Sequence, residues 1–435
     1  MVTQLAPFPF SATVSRLDAI LTRSECRSRK MIPVTETTIT SNQTQQLGPP
    51  ILFDYQPRTR VVFGIGSFSR LGEIASEFGN GPVLLVTDPG LKQAGHEEAA
   101  IASLEARGLQ VAVFDDVAPN PTTDDVDRCV EFAKGQSIQL IVGLGGGSSM
   151  DCAKGANFLL TNGGRMHDYR GVGKATRQML PMIAIPTTAG TGSEAQSFAV
   201  IADAETHMKM ACGDSKAACR VAILDPELTV TMPRAVAAAT GIDAMTHAIE
   251  SYVTTKRNPV SQMFARQAWV LLSKSFSQVI TTSDDPEARG NMLLGAHLAG
   301  AAIENSMLGA AHATANPLSA HFNMVHGNAV GIMMPHVIRW NIPEVGHLYH
   351  DLAISAGWAG HGETAEQAAE TLAEGFTDLV SAASMPHTLT NALEVQLNDE
   401  MRDTLAEEAT QQWTGRFNPR TMDMNSFRQL YGDAT

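Results

Sequence analysis

Residues 140–154 read "LIVGLGGGSSMDCAK": an aliphatic run that breaks into three consecutive glycines and resumes as a helix-forming stretch. An apolar run ending in glycine is what a buried parallel strand looks like. A glycine loop that then opens a helix presents bare backbone N–H groups and a helix dipole to an anion. Two readings stand side by side: the loop cradles a pyrophosphate, or glycine serves only a tight strand-to-helix turn. It is neither a P-loop nor a GxGxxG fingerprint. Lys154 comes seven residues after Gly147 and no Lys-Ser/Thr pair closes the loop, which disfavours γ-phosphate chemistry.

The same pattern recurs on both sides, in "VLLVTD" (83–88), "QVAVFDDV" (110–117) and "PMIAIPTT" (181–188), with helical stretches between them. Strands joined by helical crossovers predict an α/β unit over 51–230, a doubly wound parallel sheet of the dinucleotide-binding kind. Such sheets bind ligands outside the carboxyl ends of their strands, where Asp88, Asn120, the Gly145–Ser149 loop and the Thr187–Thr191 loop all fall. A carboxylate at Asp88 can accept from a ribose diol and repel a 2′-phosphate, favouring NAD over NADP. It can equally be just a strand end, and it precedes Gly145 by 57 residues, which is not the common dinucleotide order. "PTTAGTGSE" (186–194) is a second small-residue loop after a strand, and two such loops at one sheet edge suggest a long ligand lying across it.

After "LDPELTVTMP" (224–233) the chain turns to Ala, Met, Leu and His at helical spacing, which predicts an all-α unit over 231–435. Helices are expected at 234–255, 258–282, 286–302, 304–315, 327–341 and 364–383, with Pro259, Pro286, Pro317, Pro335 and Pro343 at or near starts, ends or kinks.

At 435 residues the chain can bury a large core without staples. Its formal charge of −14 disfavours nucleic acid or an anionic membrane as partner. No apolar run approaches the roughly 18–20 residues that span a bilayer. Cys26, Cys129, Cys152, Cys212 and Cys219 form no CxxC pair, so a reducing cytoplasm is the expected compartment. Residues 1–50, with Arg16, Arg23, Arg27, Arg29 and Lys30 in an acid-poor, Ser/Thr-rich stretch, read as a flexible leader; a transit-like peptide and initiation at Met31 are the other readings.

"GIDAMTHAIESY" (241–252) puts Asp243 and His247 at i and i+4 on one helix face, as two ligands to one metal or as an interior hydrogen-bonded pair. "HATANPLSAHFNMVH" (312–326) offers His312, His321 and His326. Asn316 precedes Pro317, where α-conformation is disfavoured, so one helix should end near 315 with His312 in its last turn, and another should begin at Asn316-Pro317. His326 falls at the start of the next long helix, and His321, between them, can be a satisfied interior or surface histidine, with any of the three open as a ligand at this point. Met307, Met324, Met333 and Met334 are read as core or as the lining of an adaptable pocket.

Taken in order, "GGGSSMDCAK", "PTTAGTGSE", "LDPELT", "GIDAMTHAIESY" and the histidines up to "VHGNAVGIMMPHVIRWN" resemble the iron-containing (group III) alcohol dehydrogenase family, from about residue 53 to the end. The resemblance implies a dehydroquinate synthase-like architecture: a dinucleotide-binding α/β domain, a helical domain and a divalent metal between them. It implies reversible hydride transfer between a small alcohol or diol and NAD, and a homodimer or larger homo-oligomer. Carried over, the metal ligands are Asp243, His247, His312 and His326. The cofactor contacts are Asp88, Asn120, Gly146, Gly147, Ser148, Thr187, Thr188, Thr191 and Lys209. Ligand type alone does not choose between Fe²⁺ and Zn²⁺; iron is the family's usual metal. Same-fold alternatives are a hydroxyacid–oxoacid transhydrogenase, a maleylacetate reductase-like enzyme and a glycerol dehydrogenase-like enzyme; a non-catalytic NAD sensor is the alternative of another class. One departure stands out. Where many members have "AHP", this chain has "ANP", and Asn316 cannot supply a proton at neutral pH.

Overall fold

The structure is a computed structural model that describes residues 52–435 apart from His207, Ser283 and Glu394. The expected leader lies outside the described residues. The chain runs β1 (Arg60–Phe63), α1 (Leu71–Ser76), β2 (Val83–Val86), α2 (Pro89–Gln93), α3 (His96–Glu105), β3 (Val111–Phe114), α4 (Thr123–Ala133), β4 (Leu140–Gly145) and α5 (Gly147–Asn162). It continues through β5 (Gly171–Val172), β6 (Met182–Pro186), β7 (Phe198–Ala202), β8 (Lys209–Gly213) and β9 (Val221–Leu224). Helices follow: α6 (Arg234–Val253), α7 (Pro259–Thr281), α8 (Pro286–Glu304), α9 (Ala310–Phe322), α10 (His326–Ala356), α11 (Ala365–Ala382), α12 (Leu389–Ala392), α13 (Asp399–Gln411) and α14 (Met424–Asp433).

Six strands form one all-parallel sheet in the order β1-β9-β6-β4-β2-β3, and β5-β8-β7 make a smaller mixed sheet. The central strands "VLLV", "LIVGLG" and "MIAIP" are buried on both faces, as a parallel sheet covered by helices requires. Along β2, Val83 and Leu85 face one apolar cluster with α1 and α3, while Leu84 and Val86 face another with α4 and α5. Each such fully buried aliphatic residue contributes about 1.5–3 kcal/mol relative to exposure. From β2 the chain steps outward to β3, then returns to the other side of β2 as β4. The direction of winding therefore reverses between β2 and β4, and the carboxyl ends of those two strands carry Asp88 and the glycine loop.

The helix starts follow side-chain chemistry. Asn258 and Asp285 cap α7 and α8, each followed by proline at the first helical position, where its missing N–H costs nothing. Helix α6 is buried over most of its length.

One expectation is corrected. Asn316-Pro317 does not break the chain: α9 runs unbroken from Ala310 to Phe322 and ends at Asn323 in the left-handed conformation (φ 51°). Proline removes only its own N–H, the one that would reach the Ala313 carbonyl, and leaves the rest of the ladder in place. Burial of Ala311, Ala313, Ala315 and Leu318 outweighs the local preference. His312 therefore sits in the first turn of its helix, not the last. Helix α10 runs on from His326 through Pro335 and Pro343, with non-helical dihedrals at Val345 (φ −134°, ψ 20°). Among the described residues, no helix is long and apolar enough to cross a membrane.

Candidate metal centre and cofactor cleft

Asp243 and His247 stand one turn apart on α6, and His312 and His326 open α9 and α10 respectively. All three imidazoles turn Nε2 toward Asp243 Oδ1, at 3.4 Å from His247, 3.4 Å from His312 and 3.8 Å from His326. The His247 and His312 rings stack at 4.7 Å. Asp243, His247 and His312 are buried, and Asp243 Oδ1 and His312 Nε2 have no hydrogen-bond partner among the described residues. Four donors tetrahedral about one ion at about 2.0–2.2 Å stand about 3.3–3.6 Å apart. The observed spacing, with orphaned buried atoms facing one another, fits a divalent metal.

Burial and neighbouring charge act on the four donors in different senses. Burial pushes the Asp243 carboxyl up, but the imidazoles, His247 first, more than reverse this and hold it well below the usual carboxylate range. Burial brings His247 down to about 4 against the pull of Asp243. Burial and then the positive charge of Lys209 hold His326 well below its ordinary value. His312 differs: burial lowers it, but Glu250 and Asp243 outweigh that and hold it at about 9.

The α10 start is placed by a close approach. A Cβ at Gly327 would lie 2.1 Å from the Ala239 carbonyl oxygen, so only glycine lets α10 press onto α6 one turn before Asp243. Glu250, two turns after Asp243 on α6, accepts from His312 Nδ1 at 2.6 Å and from the Ala311 N–H at 2.7 Å. The sequence reading missed Glu250, although Asp243, His247 and Glu250 at i, i+4 and i+7 share a helix face.

The four residues close one end of a cleft of about 520 Å³. Asn120, Gly147, Ser148, Thr191 and Lys209 line the same cleft. Gly147 begins α5, and a Cβ there would lie 2.7 Å from Thr191 Cγ2, so the glycine loop and the "PTTAGTGSE" loop meet edge to edge. Ser148 Oγ accepts from the Asn120 N–H at 3.1 Å. Gly146, Thr187, Thr188 and Asp88 stand in the adjoining strand-end loops, outside the cleft lining. Asp88 is engaged locally, capping α2 through the Gly90 and Leu91 N–H groups and accepting from Ser149 Oγ at 3.2 Å. Burial lowers the Lys209 ammonium, with Asp243 and Asp151 pulling the other way.

Lys154 is fully buried and donates to Ser193 O at 2.6 Å, Ser193 Oγ at 2.8 Å and Phe198 O at 2.9 Å, so it anchors the second loop. The cleft is also walled by Ile303, Met307, Leu308, Met324 and Trp413. The methionines divide, since Met333 and Met334 are fully buried in the core. Asn316 also lines the cleft, with its Nδ2 donating to Gln412 Oε1 at 3.0 Å. His321 pairs with Glu408 at 2.9 Å on the surface. Nothing in the sequence pattern marked Gln412 or Trp413, which approach only through tertiary folding.

A doubly wound parallel sheet whose strand ends open onto one carboxylate and three converging imidazoles joins a dinucleotide-binding type of fold to a candidate metal cage. The profile of the family "Iron-containing alcohol dehydrogenase" matches residues 57–226, and that of "Fe-containing alcohol dehydrogenase family, C-terminal" matches 237–435. The chain is 34% identical over 378 residues to alcohol dehydrogenase 4 of Schizosaccharomyces pombe, covering 86% of this chain and 87% of that protein. It is 33% identical over 373 residues to the NAD-dependent methanol dehydrogenase of Bacillus methanolicus, covering 86% and 97%. The crystal structure of a 1,3-propanediol oxidoreductase superposes with a TM-score of 0.85 at 32% identity, covering 88% of this chain and all of that one. The chain belongs to the iron-containing alcohol dehydrogenase family and is an alcohol oxidoreductase.

Proposed function

We propose that Asp243, His247, His312 and His326 hold a ferrous ion and that NAD lies along the cleft from Asn120, Gly147 and Ser148 to that ion, ready to exchange hydride with a small alcohol or diol. The observation that carries this reading is the continuity of one cleft from the glycine loop to the four converging donors. A bound ferrous ion would supply Lewis acidity toward the substrate hydroxyl, and NAD supplies the hydride acceptor. The protein's share is orientation and exclusion of water. Gly146 and Gly147 leave backbone N–H groups free at the start of α5 for the pyrophosphate. Thr187, Thr188 and Thr191 offer hydroxyls beside it, and Lys209 reaches the cleft between cofactor and metal. Asp88 keeps lone pairs for a ribose diol, which favours NAD over NADP; Asp88→Asn should narrow that preference. Residues 51–230 serve as the cofactor-binding domain and 231–435 as the metal-binding domain, a division supported by the change from sheet to helix at about 230.

The NAD-dependent methanol dehydrogenase and the propanediol oxidoreductase among its relatives support a short alcohol or diol as substrate. A homodimer is the favoured assembly, because Val61, Phe63 and Ile65 are exposed along the edge strand β1 and beyond its end. Free thiols at Cys129, Cys152, Cys212 and Cys219 suit the cytoplasm. The test is metal analysis of aerobically and anaerobically purified protein, joined to an NAD⁺ reduction screen over short alcohols and diols. Activity that tracks Fe²⁺ is expected; activity in metal-free His312→Ala protein would overturn the assignment. Turnover of a hydroxyacid and oxoacid pair without added NAD⁺ would point instead to a transhydrogenase.

A further inference from the structure

Helix α9 begins at Ala310 after a glycine, which has no side chain to cap it, yet its first N–H groups are buried and need acceptors. Asn418 Oδ1 takes the Ala310 N–H at 3.4 Å, and Glu250 Oε1 takes the Ala311 N–H at 2.7 Å. The other carboxylate oxygen, Oε2, lies 2.6 Å from His312 Nδ1. Glu250 is itself 2% exposed, so this carboxylate is enclosed with two donors, one on each oxygen.

We propose that Glu250 is a positioning residue that fixes the tautomer of His312, holding the proton on Nδ1 so that the Nε2 lone pair faces Asp243 and the metal. This rests on the metal assignment above. Two facing donors can be satisfied only by a group that accepts at both atoms, which a carboxylate does and an amide does not. In Glu250→Gln, one end of the side chain becomes an NH₂ group. If it faces Ala311, the helix loses an acceptor and gains a donor–donor contact. If it faces His312, the imidazole must accept at Nδ1 and carry its proton on Nε2, where it blocks metal binding. With Asp243, Glu250 also places a second buried carboxylate beside the site.

The experiment measures Co²⁺ and Zn²⁺ affinity of wild type, Glu250→Gln and Glu250→Asp by chelator competition, with the Co²⁺ absorption spectrum as a second readout. Glu250→Gln should bind roughly 10- to 100-fold more weakly and show an altered Co²⁺ spectrum. Glu250→Asp, which keeps two accepting oxygens, should recover part of the affinity, and it carries the test if the Gln variant does not fold. Wild-type affinity and spectrum in Glu250→Gln, or an Asp variant no better than Gln, would overturn the proposal. Failure of wild type itself to bind either ion would instead sink the metal assignment on which it rests.

Discussion

Gly327 lies against the backbone of Ala239 so closely that a methyl group there would come within 2.1 Å of the Ala239 carbonyl oxygen. That contact sets how near α10 comes to α6, and hence where His326 stands relative to Asp243. Because the obstruction is backbone, Gly327→Ala should displace the start of α10 at an overpacking cost of about 1–3 kcal/mol. His326, 3.8 Å from Asp243 Oδ1, would move with it. Metal affinity should fall at least about tenfold, a typical loss when a site's supporting geometry is disturbed. Chelator competition and thermal melts check both effects; unchanged affinity would remove the packing argument.

Metal removal gives a second outcome. Four donors from three helices converge on one point, so binding of the ion stabilises the fold by mass action, about 2.7 kcal/mol at a hundredfold excess over Kd. Chelation should lower the Tm of wild type by several degrees and leave His312→Ala unmoved. Equal melting of wild type with and without metal would contradict it.

Position 316 bears on the route of the proton. Asn316, one turn after His312 and bonded to Gln412 at 3.0 Å, contributes no titrating group to the cleft. Asn316→His should add a limb to the pH profile of kcat/KM near the ordinary imidazole value of about 6.5. Superimposable profiles for the two proteins would show that this position takes no part in proton transfer.

The cysteines supply a chemical test. Burial pushes the Cys212 thiol up to about 12 and the Cys219 thiol up to about 11. Cys152 is also raised, by its contact with Cys129 and by burial. Thiolate is the reactive form, so native protein at pH 8 should leave Cys152, Cys212 and Cys219 unalkylated by iodoacetamide, while denatured protein should be modified fully. Peptide mapping decides; native labelling at these residues would show that the fold opens there.

Asp214 sets part of the acid limb of stability. Burial raises its carboxyl, but Lys216 and the Ala175 N–H reverse this and leave it lowered. A carboxyl depressed in the folded state gives stability that is full above its unfolded value, near about 3.9, and is lost as pH falls through the lower folded value. Asp214→Asn should therefore cost stability at pH 7 and converge with wild type as the pH falls through the lowered folded value. Parallel melting curves across that range would refute the assignment.

Much of this was legible in the residues. Aliphatic runs ending in glycine or aspartate predicted the parallel sheet, and Asp243 and His247 fell on one helix face because the period of a helix is a local property. The error at Pro317 has an equally local origin: propensity before proline argues for a break, and only the burial of Ala311, Ala313, Ala315 and Leu318 shows why the helix continues. Glu250 was within reach of the same helical periodicity, but a carboxylate two turns from Asp243 becomes informative only once His312 is known to face it.

By itself the sequence determined the order of the elements, the switch from sheet to helix near 230 and the candidate donors, since each follows from spacing along the chain. Only the tertiary structure decided that donors 83 residues apart, Asp243 and His326, share a point, that Glu250 holds His312, and that Asn316 and Trp413 wall the same cleft. Those relations depend on how closely helices approach, which is set by side-chain volume at contacts such as Gly327 on Ala239, and no period in the sequence encodes them.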